Sequence, residues 1–196
     1  HYYRAGSAGS RLRPEDLPEG WVESAALLHL TGITPLLSDT AREALHAAID
    51  RARASGAIVT FDINYRSALA PAATAGPVLR DLAERADIVF GGEEEFAVLY
   101  PETSVADAAA RLRDAGCATT VVKLGPAGAA VITADTVVEA GGVAVGAGDT
   151  GGARGSVVSG YLCAPPEDLR TGSKLHPPNA CGALARIGRE LRIVGH

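Results

Sequence analysis

Short runs of apolar and β-branched residues alternate along this chain with longer alanine-rich segments of helical period, and this alternation constrains the fold most. A strand, an amphipathic helix and another strand form the repeat unit of a parallel sheet covered by helices. Ala26–Leu30 reads as the first strand and ends in the turn Thr31-Gly32-Ile33-Thr34-Pro35. Ser38 or Asp39 then caps a helix over Thr40–Ser55. Its apolar positions Ala44, Leu45, Ala48 and Ile49 share one face, and Gly56 ends it. Ile58–Asp62 is apolar enough for a central strand. An Ala- and Pro-rich loop leads to a helix near Gly76–Arg85, a strand at Asp87–Phe90 and a short helix at Glu93–Leu99. Ser104-x-x-Asp107 caps a further helix that stops at Gly116. Thr119–Leu124, Ala129–Thr133 and Thr136–Ala140 read as strands, the last two joined through Ala134-Asp135. A glycine-rich stretch from Gly141 to Gly155 follows, then a helix near Ser156. Pro165-Pro166 and Pro177-Pro178 interrupt the tail, because proline lacks the donor and clashes with the preceding turn, although Asn179–Ile187 keeps a helical stretch.

With no repeat and no linker, the 196 residues form a single α/β domain, long enough to bury a core. Apolar residues at 47% and charged residues at 21% place it among globular chains. The net charge of -5, with Lys and Arg scattered, excludes a nucleic-acid binder, whose affinity rests on clustered cations. No apolar run reaches the ~18 residues of a membrane span. Cys117, Cys163 and Cys181 are odd in number and far apart, which suits reduced thiols in the cytoplasm rather than a disulfide framework or zinc site. The five histidines show no metal-ligand spacing. A chain that opens on His1-Tyr2-Tyr3-Arg4 and holds no methionine reads as a piece of a longer protein or a misjudged start.

Several residue groups could carry chemistry. In Val145-Gly146-Ala147-Gly148-Asp149-Thr150, glycines let backbone N–H groups turn to an anion, and an Asp there can accept a hydroxyl proton. An ordinary glycine-rich loop is the competing reading. Asp62-Ile63-Asn64-Tyr65-Arg66 falls at the C-terminal end of a central strand, where open α/β sheets bind ligands. Arg66 can hold a carboxylate or phosphate bidentately, or Asp62 can cap a turn while Arg66 is solvated. Lys123, followed by Gly125 and Gly128, could serve nucleotide phosphates or simply be solvated. Glu93, Glu94 and Glu95 could reach a magnesium ion through water, or favour a helix start through the dipole.

The order Tyr-Tyr-Arg-x-Gly-Ser-Ala (from Tyr2), His-Leu-Thr-Gly-Ile-Thr-Pro (from His29), Asp-Ile-Asn-Tyr-Arg (from Asp62), Glu-Glu-Glu (from Glu93), Val-Lys-Leu-Gly-x-x-Gly (from Val122) and Gly-Ala-Gly-Asp (from Gly146) resembles the ribokinase or PfkB family, closest to 2-keto-3-deoxygluconate kinases. The resemblance covers about residues 1–163. It implies a ribokinase-like three-layer α/β/α fold with a mostly parallel sheet. It also implies ATP-dependent, Mg2+-assisted phosphorylation of a keto-sugar acid at its primary hydroxyl. Carried over by position, Tyr2, Arg4 and Ile33 match sugar contacts, and Arg66 matches the arginine facing the substrate carboxylate. Lys123, Gly125 and Gly128 match the nucleotide side, and Gly146 and Gly148 the anion hole. Asn179 and Gly182 match the adenine closure. Glu95 matches the acidic end of an Asn-x-x-Glu magnesium motif in which Gly92 replaces Asn.

The resemblance departs at two places. The family's N-terminal third, which supplies the first strands, the lid and its oligomeric contacts, has no counterpart here. At the catalytic loop two registers compete. The literal one makes Gly146-Ala147-Gly148 the anion hole and Asp149 the base. The spacing one, which satisfies Val143-x-Val145 and Gly160-Tyr161-Leu162, puts Arg154 and Gly155 at those positions and is preferred on both flanks. It predicts a kinase remnant without its base, with frame errors or decay of the gene as the cause.

Overall fold

The computed structural model describes residues 6–141 and 158. Its elements run β1 (Leu27–Thr31), α1 (Asp39–Ser55), β2 (Ile58–Asp62), α2 (Ala72–Ala83), β3 (Ile88–Gly92), α3 (Glu93–Leu99), α4 (Val105–Asp114), β4 (Thr119–Lys123), β5 (Gly128–Ile132) and β6 (Val137–Gly141). The strands form one sheet in sequence order, β1 to β4 parallel and β4 to β6 antiparallel.

Local chemistry sets most boundaries. The Ser38 hydroxyl accepts the Ala41 N–H at 3.1 Å, and Gly56 closes α1 in the left-handed conformation, φ 78°. Ser104 caps α4 in the same manner by accepting from Asp107 N–H. The Ala134-Asp135 turn is closed by Thr133 N–H donating to the Thr136 carbonyl at 2.9 Å.

Several boundaries shift by a residue or more from the sequence expectation, and three of these have a local cause. Helix α2 begins at Ala72 rather than near Gly76. The alanines after Pro71 have high helix propensity, and Pro77 withholds only the donor that would bond the Ala73 carbonyl. Strand β3 runs on to Gly92 because Gly91 and Gly92 pair with Val122 and Lys123 of β4. Strand β1 likewise extends to Thr31, opposite Asp62.

Sequential strand order with the right-handed crossovers such units adopt keeps α1 to α4 on one face of the sheet. The main core lies there, with Leu45 and Ile49 of α1, Leu79 of α2, Phe96 of α3 and Leu112 of α4 packed against Val59, Phe61 and Val89. Burying each such large side chain contributes about 1.5–3 kcal/mol. A smaller cluster of Ile58, Ile88, Phe90 and Val121 occupies the opposite face, where the helical residue Val158 packs on it. Among the described residues no helix is long and apolar enough to cross a membrane.

Candidate active site

Four parallel strands end at one edge of the sheet, and each delivers its last residue there: Thr31, Asp62, Gly92 and Lys123. Thr31 lies opposite Asp62, and Gly92 opposite Lys123. The chain leaves β1 through Gly32, whose N–H donates to the Asp62 carbonyl at 2.8 Å. A Cβ on Gly32 would lie 2.0 Å from the Ile63 carbonyl oxygen and 2.7 Å from Leu79 Cδ2, so only glycine lets the two strand exits run side by side.

Lys123 is not solvated. Its ammonium lies 2.7 Å from Asp62 Oδ1 and 3.3 Å from Glu95 Oε2, and the three side chains are 7%, 13% and 12% exposed. Lys123 and Asp62 belong to strands separated by β3, whose last residue Gly92 lies beside Lys123 in register. Glu95 Oε2 also accepts the Gly92 N–H at 2.8 Å. This is the Glu half of a capping box, which glycine cannot complete with a side chain of its own. The acidic first turn of α3 therefore has two jobs: it caps the helix, and through Glu95 it neutralises a buried lysine.

Beside this triad, the segment after β2 folds back over the strand ends. Asn64 adopts φ 39°, a left-handed conformation that asparagine tolerates better than most residues. Both ends of its amide are used: Nδ2 donates to Thr31 Oγ1 at 3.1 Å, and Oδ1 accepts from Arg66 Nη2 at 2.7 Å. Arg66 is thus half-buried and anchored rather than freely solvated, and its buried Nε–H has no hydrogen-bond partner among the described residues. Tyr65, between them, donates its hydroxyl to the Ala70 carbonyl and fixes the loop.

His29 lies on the same face as Asp62 and Lys123. Its Nδ1 is 2.8 Å from Thr60 Oγ1, and its ring meets Phe90 edge-on at 6.3 Å. The residue keeps an open outer surface, yet burial of its inner side holds the imidazole below the ordinary histidine range; Asp62 opposes that effect and Lys123 reinforces it.

Of the residues singled out in the sequence, Ile33, Arg66, Glu95, Lys123, Gly125 and Gly128 all come to this edge. Ile33 follows Gly32 and opens a 3-10 turn at Thr34–Leu36. Gly125 and Gly128 take φ 60° and 106° in the turn after β4, where Leu124 N–H donates to the Gly128 carbonyl. Tyr2, Arg4, Gly146, Gly148, Asp149, Arg154, Gly155, Asn179 and Gly182 lie outside the described residues. Sequence reading places Asp62 and Asn64 in a segment at the ligand-binding edge, with a turn cap as the alternative for Asp62, and gives Thr31 and Asn64 no individual role. An acidic residue ending an otherwise apolar strand was the available signal for Asp62.

Among the described residues no group of three or more His, Cys, Asp or Glu side chains could hold a metal ion. Glu95 Oε2 already carries an N–H and an ammonium, so it is not free to ligate a cation directly. Among the described residues the donor set does not form a carboxylate cage for a cation.

The sequence matches the pfkB family carbohydrate kinase pattern over residues 2–186. It is 39% identical over 132 residues to a 2-dehydro-3-deoxygluconokinase of Thermoproteus tenax, covering 66% of this chain and 39% of that protein. It is 33% identical over 195 residues to the 2-dehydro-3-deoxygluconokinase of Bacillus subtilis, covering 93% of this chain and 57% of the relative. The chain thus spans about half the length of the curated relatives it matches. The fold superimposes on the crystal structure of a PfkB protein from Polaromonas sp. JS666 with a TM-score of 0.75 and 34% identity, over 97% of this chain and 61% of that one. The mostly parallel six-stranded sheet with its helices is accordingly the ribokinase-like α/β fold expected from the sequence. Family pattern, relatives and fold agree, and the chain belongs to the pfkB family of carbohydrate kinases.

Proposed function

We propose that this protein transfers the γ-phosphoryl group of ATP to the primary hydroxyl of a small keto-sugar acid such as 2-keto-3-deoxygluconate (2-dehydro-3-deoxygluconate in the relatives' names). The observation that carries the reading is Arg66, an arginine held at the sheet edge by the Asn64 amide oxygen. A planar guanidinium suits a carboxylate better than a neutral sugar. Two relatives named for a keto-sugar acid support the same substrate class.

In this reading Arg66 takes the carboxylate, while Tyr2, Arg4 and the backbone at Ile33 line the sugar. Gly125, Gly128 and Asn179 border the nucleotide. Asp149 takes the proton of the primary hydroxyl as its oxygen bonds to the γ-phosphorus. The bond to the bridging oxygen then breaks, and ADP leaves. Gly146 and Gly148 present N–H groups to the transferred charge. Glu95 would be the residue to help hold a magnesium ion, which would supply charge neutralisation on the phosphates. Lys123, committed to Asp62 and Glu95, acts on the nucleotide side by fixing Glu95. The reduced thiols suit a cytoplasmic enzyme.

A coupled assay for ADP release tests this reading. Turnover with 2-keto-3-deoxygluconate that disappears in Asp149→Asn, with the fold intact, is the expected result. One sequence observation favours a second reading: matching both flanks of the catalytic loop places Arg154 and Gly155 at the anion hole and base. A chain of that kind binds ATP measurably and releases no ADP. Loss of a general base alone removes on the order of 10²–10⁴ in rate.

A further inference from the structure

Arg66 owes its aim to Asn64. A guanidinium on a flexible stem loses rotamer freedom when it binds an anion, so a site that selects a carboxylate gains from holding the stem beforehand. Here one amide spans the distance from β1 to Arg66, donating to Thr31 Oγ1 and accepting from Arg66 Nη2. Asn64 holds φ 39°, a conformation that costs energy for any non-glycine residue and persists where surrounding bonds enforce it. The geometry leaves the buried Nε–H of Arg66 unpaired among the described residues.

We infer that Asn64 is a positioning residue that, anchored on Thr31, holds Arg66 ready to receive the carboxylate of the acceptor. The inference rests on the carboxylate role given to Arg66 above, and its test separates the two. Asn64 touches no reacting atom in this scheme; it acts only through Arg66. The amide is assigned one way round, with oxygen toward Arg66 and nitrogen toward Thr31, because a guanidinium can only donate. Asn64→Asp keeps the acceptor for Arg66 and lets the Thr31 hydroxyl donate to the other oxygen. Asn64→Ala removes both bonds. Thr31→Val keeps the β-branched strand residue and removes only the far anchor.

Two measurements decide the matter on the intact chain. The first needs no ligand: 15N relaxation of the Arg66 Nε–H in free protein, assigned by its loss in Arg66→Lys. A rigid Nε–H in wild type and Asn64→Asp that becomes mobile in Asn64→Ala and Thr31→Val supports the inference, provided the backbone spectra superimpose. Equal rigidity in wild type and Asn64→Ala overturns it. The second is calorimetric titration with 2-keto-3-deoxygluconate. Loss of about one hydrogen bond's worth of preorganisation weakens binding about tenfold in Asn64→Ala. If Arg66 loosens and the acid binds equally well to wild type, Asn64→Ala and Arg66→Met, Asn64 holds Arg66 but not for this acid. That outcome overturns the carboxylate role and, with it, the purpose assigned to Asn64.

Discussion

Replacing Lys123 with methionine keeps the aliphatic stem and removes the charge between Asp62 and Glu95. Both carboxylates contact one nitrogen, at 2.7 and 3.3 Å, and all three side chains are close to buried. Two oxygens that share that nitrogen are at most about 6 Å apart, which at an effective dielectric constant of ~20 gives about 3 kcal/mol of repulsion once the ammonium is gone. Breaking buried pairs by removing one partner costs about 3–5 kcal/mol, and the residual exposure of the acids points to the lower end. Lys123→Met should therefore lower the unfolding free energy by about 3 kcal/mol at neutral pH, read from urea titrations followed by far-UV circular dichroism. Added salt should change this little, because ions screen enclosed charges poorly. The triple variant Lys123→Met, Asp62→Asn, Glu95→Gln should recover most of the loss, since no buried charge is then left unpaired. A cost below about 1 kcal/mol, the range of exposed pairs, would refute the reasoning. So would a triple variant no more stable than Lys123→Met.

Other perturbations probe different parts of the molecule. Gly32→Ala forces a Cβ against the Ile63 carbonyl at 2.0 Å, so thermal unfolding should show a loss of about 3 kcal/mol or more, whereas Gly20→Ala, with nothing within 4 Å, should lose less. Burial pushes the Cys117 thiol up to about 11 from 9.0, so the folded state holds its proton more tightly than the unfolded chain. Its stabilising contribution is complete below pH ~9 and fades as pH rises through ~11, by about 3 kcal/mol; Cys117→Ala should lack this part of the alkaline slope in urea titrations. The lowered His29 value has the opposite sign. Stability is unaffected above the unfolded value of 6.5 and declines as pH falls below it, and His29→Asn should flatten that decline relative to wild type.

The parts of the fold legible in the sequence are those written in local chemistry. Ser38 and Gly56 mark the ends of α1 because a capping hydroxyl and a left-handed glycine act within one turn. The start of α2 was hidden by prolines on both sides of its first turns, where composition suggests a loop and geometry permits a helix. The site was legible as a list of residues at strand ends and illegible as a network. Lys123 and Asp62 are 61 positions apart and their strands do not touch, so their pairing depends on sheet register. The bond from Asn64 to Thr31 likewise joins positions 33 apart, and the left-handed φ of Asn64 leaves no trace in composition. Arg66 was legible because a single rule, that ligands meet open α/β sheets at the C-terminal ends of strands, locates it without knowledge of contacts.

The account stands on Arg66 as the group that recognises an acid. Calorimetric titration of 2-keto-3-deoxygluconate into wild type and Arg66→Met tests this most directly. The account predicts saturable binding to wild type that weakens more than about tenfold in the variant, as expected when a charge-assisted pair is lost. Equal affinity for both proteins, each shown to be folded, would contradict it.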